Sequence, residues 1–233
     1  MSNAYFITGT GTDMGKTLVA SGLLAAAKKQ GLSTVGMKPV AAGCEDTGDG
    51  LQNDDALQLL AQSTLNVSYE QVNPVALEPG IAPHIAANEA GRRLSADRLA
   101  GFYRGLMMQR PDFAVIEGAG GWRVPLNERE TFADLAKGLQ LPVVLVVGME
   151  LGCINHALLT AEAIQRDGLK LAGWVANQLS AEMDRYQENL DTLQQWIPCP
   201  MIGEIPFLSL IMVCDWSRPY AAEGNAQFSV LCM

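Results

Sequence analysis

Seven consecutive positions, Leu141-Pro-Val-Val-Leu-Val-Val147, carry no polar or charged side chain. A strand with one wet face alternates apolar and polar residues, so a run that is apolar throughout belongs where both faces are covered. Helices laid on both sides of a parallel sheet supply that cover. The rest of the chain repeats the theme, with short apolar runs at residues 4–8, 34–40, 113–116, 171–176 and 201–205. Stretches with helical spacing lie between and beside them, at residues 16–30, 54–62, 95–109, 132–139, 154–166 and 182–196. This alternation predicts βαβ units and an α/β fold: a doubly wound, mostly parallel sheet with helices on both faces. No internal repeat or Ser/Pro-rich linker interrupts it.

Charge and cysteine content exclude several partners. Sixteen Lys and Arg against 25 Asp and Glu leave a net charge of −9. Duplex nucleic acid needs a positive surface that releases counterions, and anionic membranes need a polybasic one. The five cysteines (Cys44, Cys153, Cys199, Cys214 and Cys232) are odd in number and far apart, with no C-x-x-C pair. Neither a disulfide framework nor a zinc site is expected, and a reducing compartment is. Met1-Ser-Asn-Ala-Tyr-Phe lacks the basic and long apolar regions of a signal peptide. The apolar run at residues 141–149 is short of the roughly 18 residues of a spanning helix. The expectation is a soluble, cytoplasmic protein.

In a doubly wound sheet the ligand lies at the carboxyl ends of the strands. The informative windows are therefore residues 9–17, 38–55, 117–122 and 148–156, with Asn177 and Pro206. The first reads Gly9-Thr-Gly-Thr-Asp-Met-Gly-Lys-Thr17 and opens a helix. Its glycines let backbone N–H groups curl around a phosphate, and the helix N-terminus adds its positive end. Lys16 supplies a point charge to the β- and γ-phosphates, and the Thr17 hydroxyl is placed to ligate Mg²⁺. Five residues separate Gly9 from Gly15, one more than the common P-loop spacing. Nucleotide binding is the expectation.

The other windows are less decided by themselves. Lys38 ends the second apolar run and could aim a second cation at a transferring phosphoryl group; alone, it reads more simply as a solvated strand-end lysine. Asp55 and Glu117, with the Thr17 hydroxyl, make a plausible oxygen set for Mg²⁺. Asp54 and Asp55 could equally be acids favouring a helix N-terminus, the better reading for Asp54. Gly118-Ala-Gly-Gly-Trp122 is a turn that permits close backbone approach, with Trp122 as a packing residue. Gly152-Cys-Ile-Asn-His156 precedes a helix whose amides could hold a carboxylate. Cys153 and His156 lack an orienting acid, so no nucleophilic pair is expected, and His84 reads as structural. The Asn177 amide could meet an adenine edge and Pro206 its ring, or both could be ordinary loop residues.

The order of these motifs resembles that of the dethiobiotin synthetases. The likeness runs through Tyr5-Phe-Ile-Thr-Gly-Thr-x-Thr-x-x-Gly-Lys-Thr17, Lys38-Pro-Val, Asn53-x-Asp55-Ala and Glu117-Gly-Ala-Gly-Gly-Trp122. It continues through Leu141-Pro-Val, Gly152-Cys-Ile-Asn-His156, Gly173-Trp-Val-Ala-Asn177 and Gly203-Glu-Ile-Pro206, so that it spans residues 5–208. The resemblance implies an ATP- and Mg²⁺-dependent reaction of 7,8-diaminopelargonic acid with CO₂ to dethiobiotin. The reaction passes through a carbamate and a carbamic-phosphoric anhydride. It also implies roles for particular residues. Lys16, Lys38 and Thr12 are catalytic; Thr17, Asp55 and Glu117 hold the metal. Nucleotide falls to Asp13, Met14, Gly15, Lys16, Thr17, Leu18, Asp55, Glu117, Gly118, Ala119, Gly120, Asn177, Gln178, Pro206, Phe207 and Leu208. Substrate falls to Thr12, Lys38 and Ala42, joined across a homodimer interface by Gly152, Cys153, Ile154 and Asn155. Residues 41–55 hold five acids and no Lys or Arg, either a solvated loop or a field drawing in the diamine.

Three departures accompany the likeness. Gly11 stands where the family carries Asp, and Ala42 replaces a substrate-contacting Ser, a hydrogen bond worth about 0.5–1.5 kcal/mol. After Leu208 the likeness stops, with Val213 about where a nucleotide-binding Glu is expected. Residues 1–208 are thus read as a single P-loop ligase domain and residues 209–233 as an atypical tail. A P-loop switch ATPase of the partitioning or division-site type would share the sheet, but its additional loop lysine is absent here. A paralogue that binds nucleotide without turnover would suit Ala42 and the tail.

Overall fold

The chain alternates as its hydrophobic pattern requires, in a computed structural model that describes residues 3–207. The elements in order are β1 (Asn3–Gly9), α1 (Lys16–Lys29), β2 (Thr34–Met37), β3 (Val40–Ala42), β4 (Glu45–Asp46), β5 (Leu51–Gln52) and α2 (Asp54–Gln62). Then come α3 (Tyr69–Val72), β6 (Val75–Leu77), α4 (Pro83–Glu89), α5 (Ala96–Met107), β7 (Phe113–Gly121) and α6 (Phe132–Leu139). β8 (Val143–Met149), α7 (Cys153–Arg166), β9 (Leu171–Gln178), α8 (Tyr186–Trp196) and β10 (Met201–Ile205) complete the series.

Six strands form one sheet in the order β10-β9-β8-β1-β7-β2, every pairing parallel. β8 is buried at all of its positions, the double-sided cover that its unbroken apolar run demanded. Two apolar clusters provide it. Val144 and Val146 face one, with Val19, Leu24 and Leu59 of α1 and α2. Val143, Leu145 and Val147 face the other, with residues of α5, α6, α7 and α8. After β1 the chain steps first toward the β2 edge, and after β7 it crosses to β8 and proceeds to β10. That reversal opens a crevice at the carboxyl ends of the central strands, where the Gly9–Thr17 segment lies.

One expected strand is broken. Residues 34–40 do not run through: β2 ends at Met37, and β3 begins at Val40 in a separate two-stranded sheet with β6. Pro39 has no N–H for a ladder, so the chain changes sheets at Lys38 and Pro39. A second small sheet pairs β4 with β5, making residues 45–52 a hairpin; Glu45, Asp46 and Asp49 on it are exposed. The short α3 and α4 were also unanticipated. The expected helix at residues 182–196 starts only at Tyr186, and α7 begins at Cys153. Among the described residues, no helix is long and apolar enough to cross a membrane. Leu208, Val213 and the tail at residues 209–233 lie outside the described residues.

Candidate functional site

The loop after β1 is held by backbone shape. Asp13 has φ 60, a left-handed conformation that Asp tolerates better than most residues. Gly15, the N-cap of α1, has φ 86. A Cβ there would collide with the Asn177 side-chain amide, so glycine is required twice over. The Asn177 Nδ2 donates to Met14 O at 3.0 Å, tying β9 to the loop. Gly148 at the end of β8 makes room for the Met14 thioether.

Lys16 is the first residue of α1 and is buried. Its ammonium donates to Gly11 O at 2.7 Å. Burial pulls its pKa below the ordinary lysine value, and the carboxylates of Glu117 and Asp55 only partly oppose that pull. Thr17, one residue on, donates through Oγ1 to Glu117 Oε1 at 2.9 Å.

Lys38 occupies the break between β2 and β3 and is buried rather than solvated. Its Nζ donates to Asp55 Oδ2 and to Glu117 Oε1, both at 2.6 Å. Burial works against its charge, but the carboxylates of Glu117 and Asp55 hold its pKa up at about 12. Burial raises the Asp55 carboxyl, and Lys38 more than reverses this, leaving it below the usual carboxylate value. Asp55 comes from the first turn of α2, whose N-cap Asn53 accepts the Asp55 N–H at 3.1 Å. Glu117 sits in β7 with 0% exposure. Its Oε1 takes both hydrogen bonds, while its buried Oε2 has no hydrogen-bond partner among the described residues.

These groups border one cavity of about 1140 Å³. Of the residues expected at a site, Thr12, Asp13, Gly15, Lys16, Thr17, Leu18, Lys38, Ala42 and Asp55 line it. So do Glu117, Ala119, Gly120, Asn177, Gln178, Pro206 and Phe207. Met14 and Gly118 are not lining residues. Met14 faces Asn177 and Gly148, and a Cβ on Gly118 would press on the Phe6 ring at 3.3 Å. Gly152, Cys153, Ile154 and Asn155 also lie outside the cavity. Gly152 is the left-handed N-cap of α7, with φ 100, and Cys153 is buried with its Sγ 4.0 Å from Asn189 Oδ1. Burial raises the Cys153 thiol, which again disfavours a nucleophile. Trp122 is a packing residue, edge-on to Phe6 and hydrogen-bonded through Nε1 to Asp167 at 2.7 Å. The His84 Nδ1 is buried without a hydrogen-bond partner among the described residues.

Sequence reasoning missed one wall. Gln58, residues 80–83, Val124 and Leu179 also line the cavity. Only Gly80 and Pro83 carried any signal, as turn residues; the rest are ordinary side chains brought there by distant pairing. The chemistry of the cluster is that of anion capture and oxygen ligation. It offers two ammonium groups, a glycine loop at a helix N-terminus, and an all-oxygen set of hydroxyl and carboxylates.

Known proteins resemble this chain in sequence and in fold. A family described as an AAA domain matches residues 3–213. The ATP-dependent dethiobiotin synthetase BioD of Cellvibrio japonicus (strain Ueda107) is 67% identical over 207 residues, 89% of this chain and 90% of that protein. The protein of the same name from Pseudomonas paraeruginosa (strain DSM 24068 / PA7) is 59% identical, covering 88% and 90%. That from Aeromonas salmonicida (strain A449) is 48% identical, covering 92% and 95%. Among solved structures, the septum site-determining protein MinD of Pyrococcus horikoshii OT3, complexed with Mg-ADP, superposes with a TM-score of 0.57 at 15% identity, covering 88% of this chain and 82% of that one. A ParA family ATPase from Chlorobium tepidum TLS gives 0.54 at 13%, covering 89% and 84%. At such identities the two structures speak for the P-loop fold alone.

Proposed function

This chain belongs to the ATP-dependent dethiobiotin synthetase family, and from that premise we infer that the cavity after β1, β2 and β7 is where the family reaction takes place. The protein is a ligase of biotin biosynthesis that forms dethiobiotin with ATP. We propose 7,8-diaminopelargonic acid and CO₂ as its other substrates and the cytoplasm as its location. One amine takes up CO₂ as a carbamate, ATP phosphorylates it, and the second amine displaces phosphate to close the ureido ring. Residues 1–208 would form a single P-loop ligase domain.

The observation that carries the residue assignments is the convergence of Lys16, Thr17, Lys38, Asp55 and Glu117 at one cavity wall. The glycine loop and Lys16 hold the β- and γ-phosphates, since among the described residues the Lys16 ammonium donates to a carbonyl dipole, Gly11 O, and a phosphate offers full charge. Thr17, Asp55 and Glu117 fit Mg²⁺: the donors are all oxygen, and the unpartnered Glu117 Oε2 is an acceptor in need of a cation. When bound, Mg²⁺ would neutralise charge on the transferring phosphate. Lys38 meets the carbamate or the moving phosphoryl group, and Thr12, 3.5 Å from a Cβ built on Gly120, presents its hydroxyl beside them. Pro206, Phe207, Gln178 and the Oδ1 side of Asn177 take the adenine. Catalysis is then positioning and charge stabilisation, with no covalent enzyme intermediate.

Gly152–Asn155 reach the substrate carboxylate from a second copy of the chain. Two observations support that: these residues lie off the cavity of their own chain, and Leu151 and Leu159 beside them are 96% and 58% exposed. Incubation with the diamine, bicarbonate and MgATP should produce dethiobiotin detectable by mass spectrometry. ATP hydrolysis indifferent to the diamine, with no ring product, defeats the reading.

A further inference from the structure

Lys38 lies between two sheets, so its backbone depends on something other than the central ladder. The turn of α3 supplies it. The Lys38 N–H donates to Val72 O at 2.9 Å, and the Lys38 carbonyl accepts from Asn73 Nδ2 at 2.7 Å. Asn73 is buried. Its amide faces a second carbonyl, Val75 O at 3.4 Å, so the NH₂ end must point there and Oδ1 the other way. On that side the Tyr69 hydroxyl donates to Oδ1 at 3.0 Å. With its one proton so placed, the same hydroxyl oxygen accepts the Asn53 N–H at 2.8 Å. Asn53 in turn caps α2 at Asp55 and donates through Nδ2 to Ala42 O at 3.4 Å.

A continuous relay therefore joins the backbone of Lys38 to that of Asp55, the two residues whose side chains meet at 2.6 Å. Each donor in it has an acceptor, the Asn73 amide having two, and no member can turn without unpairing a neighbour. We propose that Tyr69 and Asn73 are positioning residues that set the Lys38 ammonium and the α2 carboxylate at their working separation; this rests on the reading of Lys38 as a catalytic cation. Tyr69 touches no phosphate-loop residue in this relay, so its influence should fall mainly on turnover and reach nucleotide binding only through Asp55.

The experiment compares the full-length wild type with Tyr69→Phe, Asn73→Ala, the double variant and Lys38→Met. It measures kcat, KM for ATP and the stoichiometry of bound nucleotide. Tyr69→Phe and Asn73→Ala should each lower kcat about tenfold, since an ångström of misplacement can remove as much or more, with KM for ATP changing by clearly less than that factor and the stoichiometry unchanged. The double variant should be no slower than Asn73→Ala, because both act through one relay. If Asn73→Ala does not fold, Tyr69→Phe, which keeps the ring and its volume, decides the matter through the split between kcat and KM. Unchanged kcat in Tyr69→Phe beside an inactive Lys38→Met overturns the positioning role alone, as do losses that multiply in the double variant. Wild-type turnover by Lys38→Met removes Lys38 from catalysis and this proposal with it.

Discussion

Lys16 and Lys38 are equally buried, each 6% exposed, yet their surroundings move them in opposite directions. Around Lys16 burial prevails and lowers its pKa: the Lys38 charge adds to the pull, and the carboxylates of Glu117, Asp55 and Asp13 only partly oppose it, while its hydrogen bond goes to a loop carbonyl. Around Lys38 burial is overcome by Glu117 and Asp55, and its pKa stands near 12. One region is a cradle short of negative charge, ready for an anion. The other is neutralised from within, so it adds to stability before any ligand arrives. Burial by itself does not tell a binding charge from a structural one; the partner does.

Lys16→Gln should break the first half of the contrast. Product formation is expected to fall by roughly a thousandfold, as when a group stabilising developing charge is removed, while the melting temperature holds or rises. Retained turnover would take Lys16 out of its role. Lys38→Met should break the second half through stability, measured by urea unfolding of ligand-free protein. Stranding a buried carboxylate costs several kcal/mol. About 3 kcal/mol is expected here, the low end of that range, because the Asp55 side chain is 41% exposed.

The pH dependence of that stability gap follows from the two shifts. Lys38 titrates at 10.5 unfolded and about 12 folded. Its contribution is complete below 10.5 and is lost as pH climbs toward 12. Asp55 sits below its ordinary 3.8 when folded, so its contribution is full above that value and disappears as pH falls through the folded one. In EDTA, the difference between wild type and Lys38→Met should be flat around neutrality and narrow at both extremes. A gap constant into strong alkali contradicts the pairing.

Smaller substitutions sharpen the comparison. Gly15→Ala forces a left-handed residue against Asn177; strain of about 1–2 kcal/mol should weaken ATP binding about tenfold. Gly31→Ala, with φ 81 but open space around it, should cost stability and leave ATP affinity alone, as titration calorimetry would show. Arg166→Ala should do least. The Arg166–Glu162 contact is 2.6 Å, the same length as the Lys38 contacts, yet both side chains are exposed, and about 0.3–0.5 kcal/mol is expected from such a helix pair. A loss comparable with that of Lys38→Met would mean that distance, not solvent exclusion, sets the worth of these pairs.

Much of this was legible in the chain because it is written locally. The unbroken run in β8 required two covered faces, and the glycines and Gly-Lys-Thr at the start of α1 required an anion. Resemblance extended that to Lys38, Asp55 and Glu117, which the residues alone had left open. Other features could not be read. Lys38 looked equally like a solvated strand end, and its burial became visible only once β7 and α2 closed over it. The strand expected at residues 34–40 misled because an apolar run does not say which sheet it joins, and Pro39 was the lone hint. Ile81 and Val124 carry no local mark of a cavity wall.

The sequence by itself determined the α/β class, the phosphate loop and the family likeness, since hydrophobic period and glycine placement act over a few residues. Only the tertiary structure decided that the Lys38 ammonium sits between Asp55 and Glu117, and that Asn177 clasps Met14. Those partners are 17, 79 and 163 residues apart along the chain. Electrostatic balance depends on distance in space and on excluded water, and the strand order sets both.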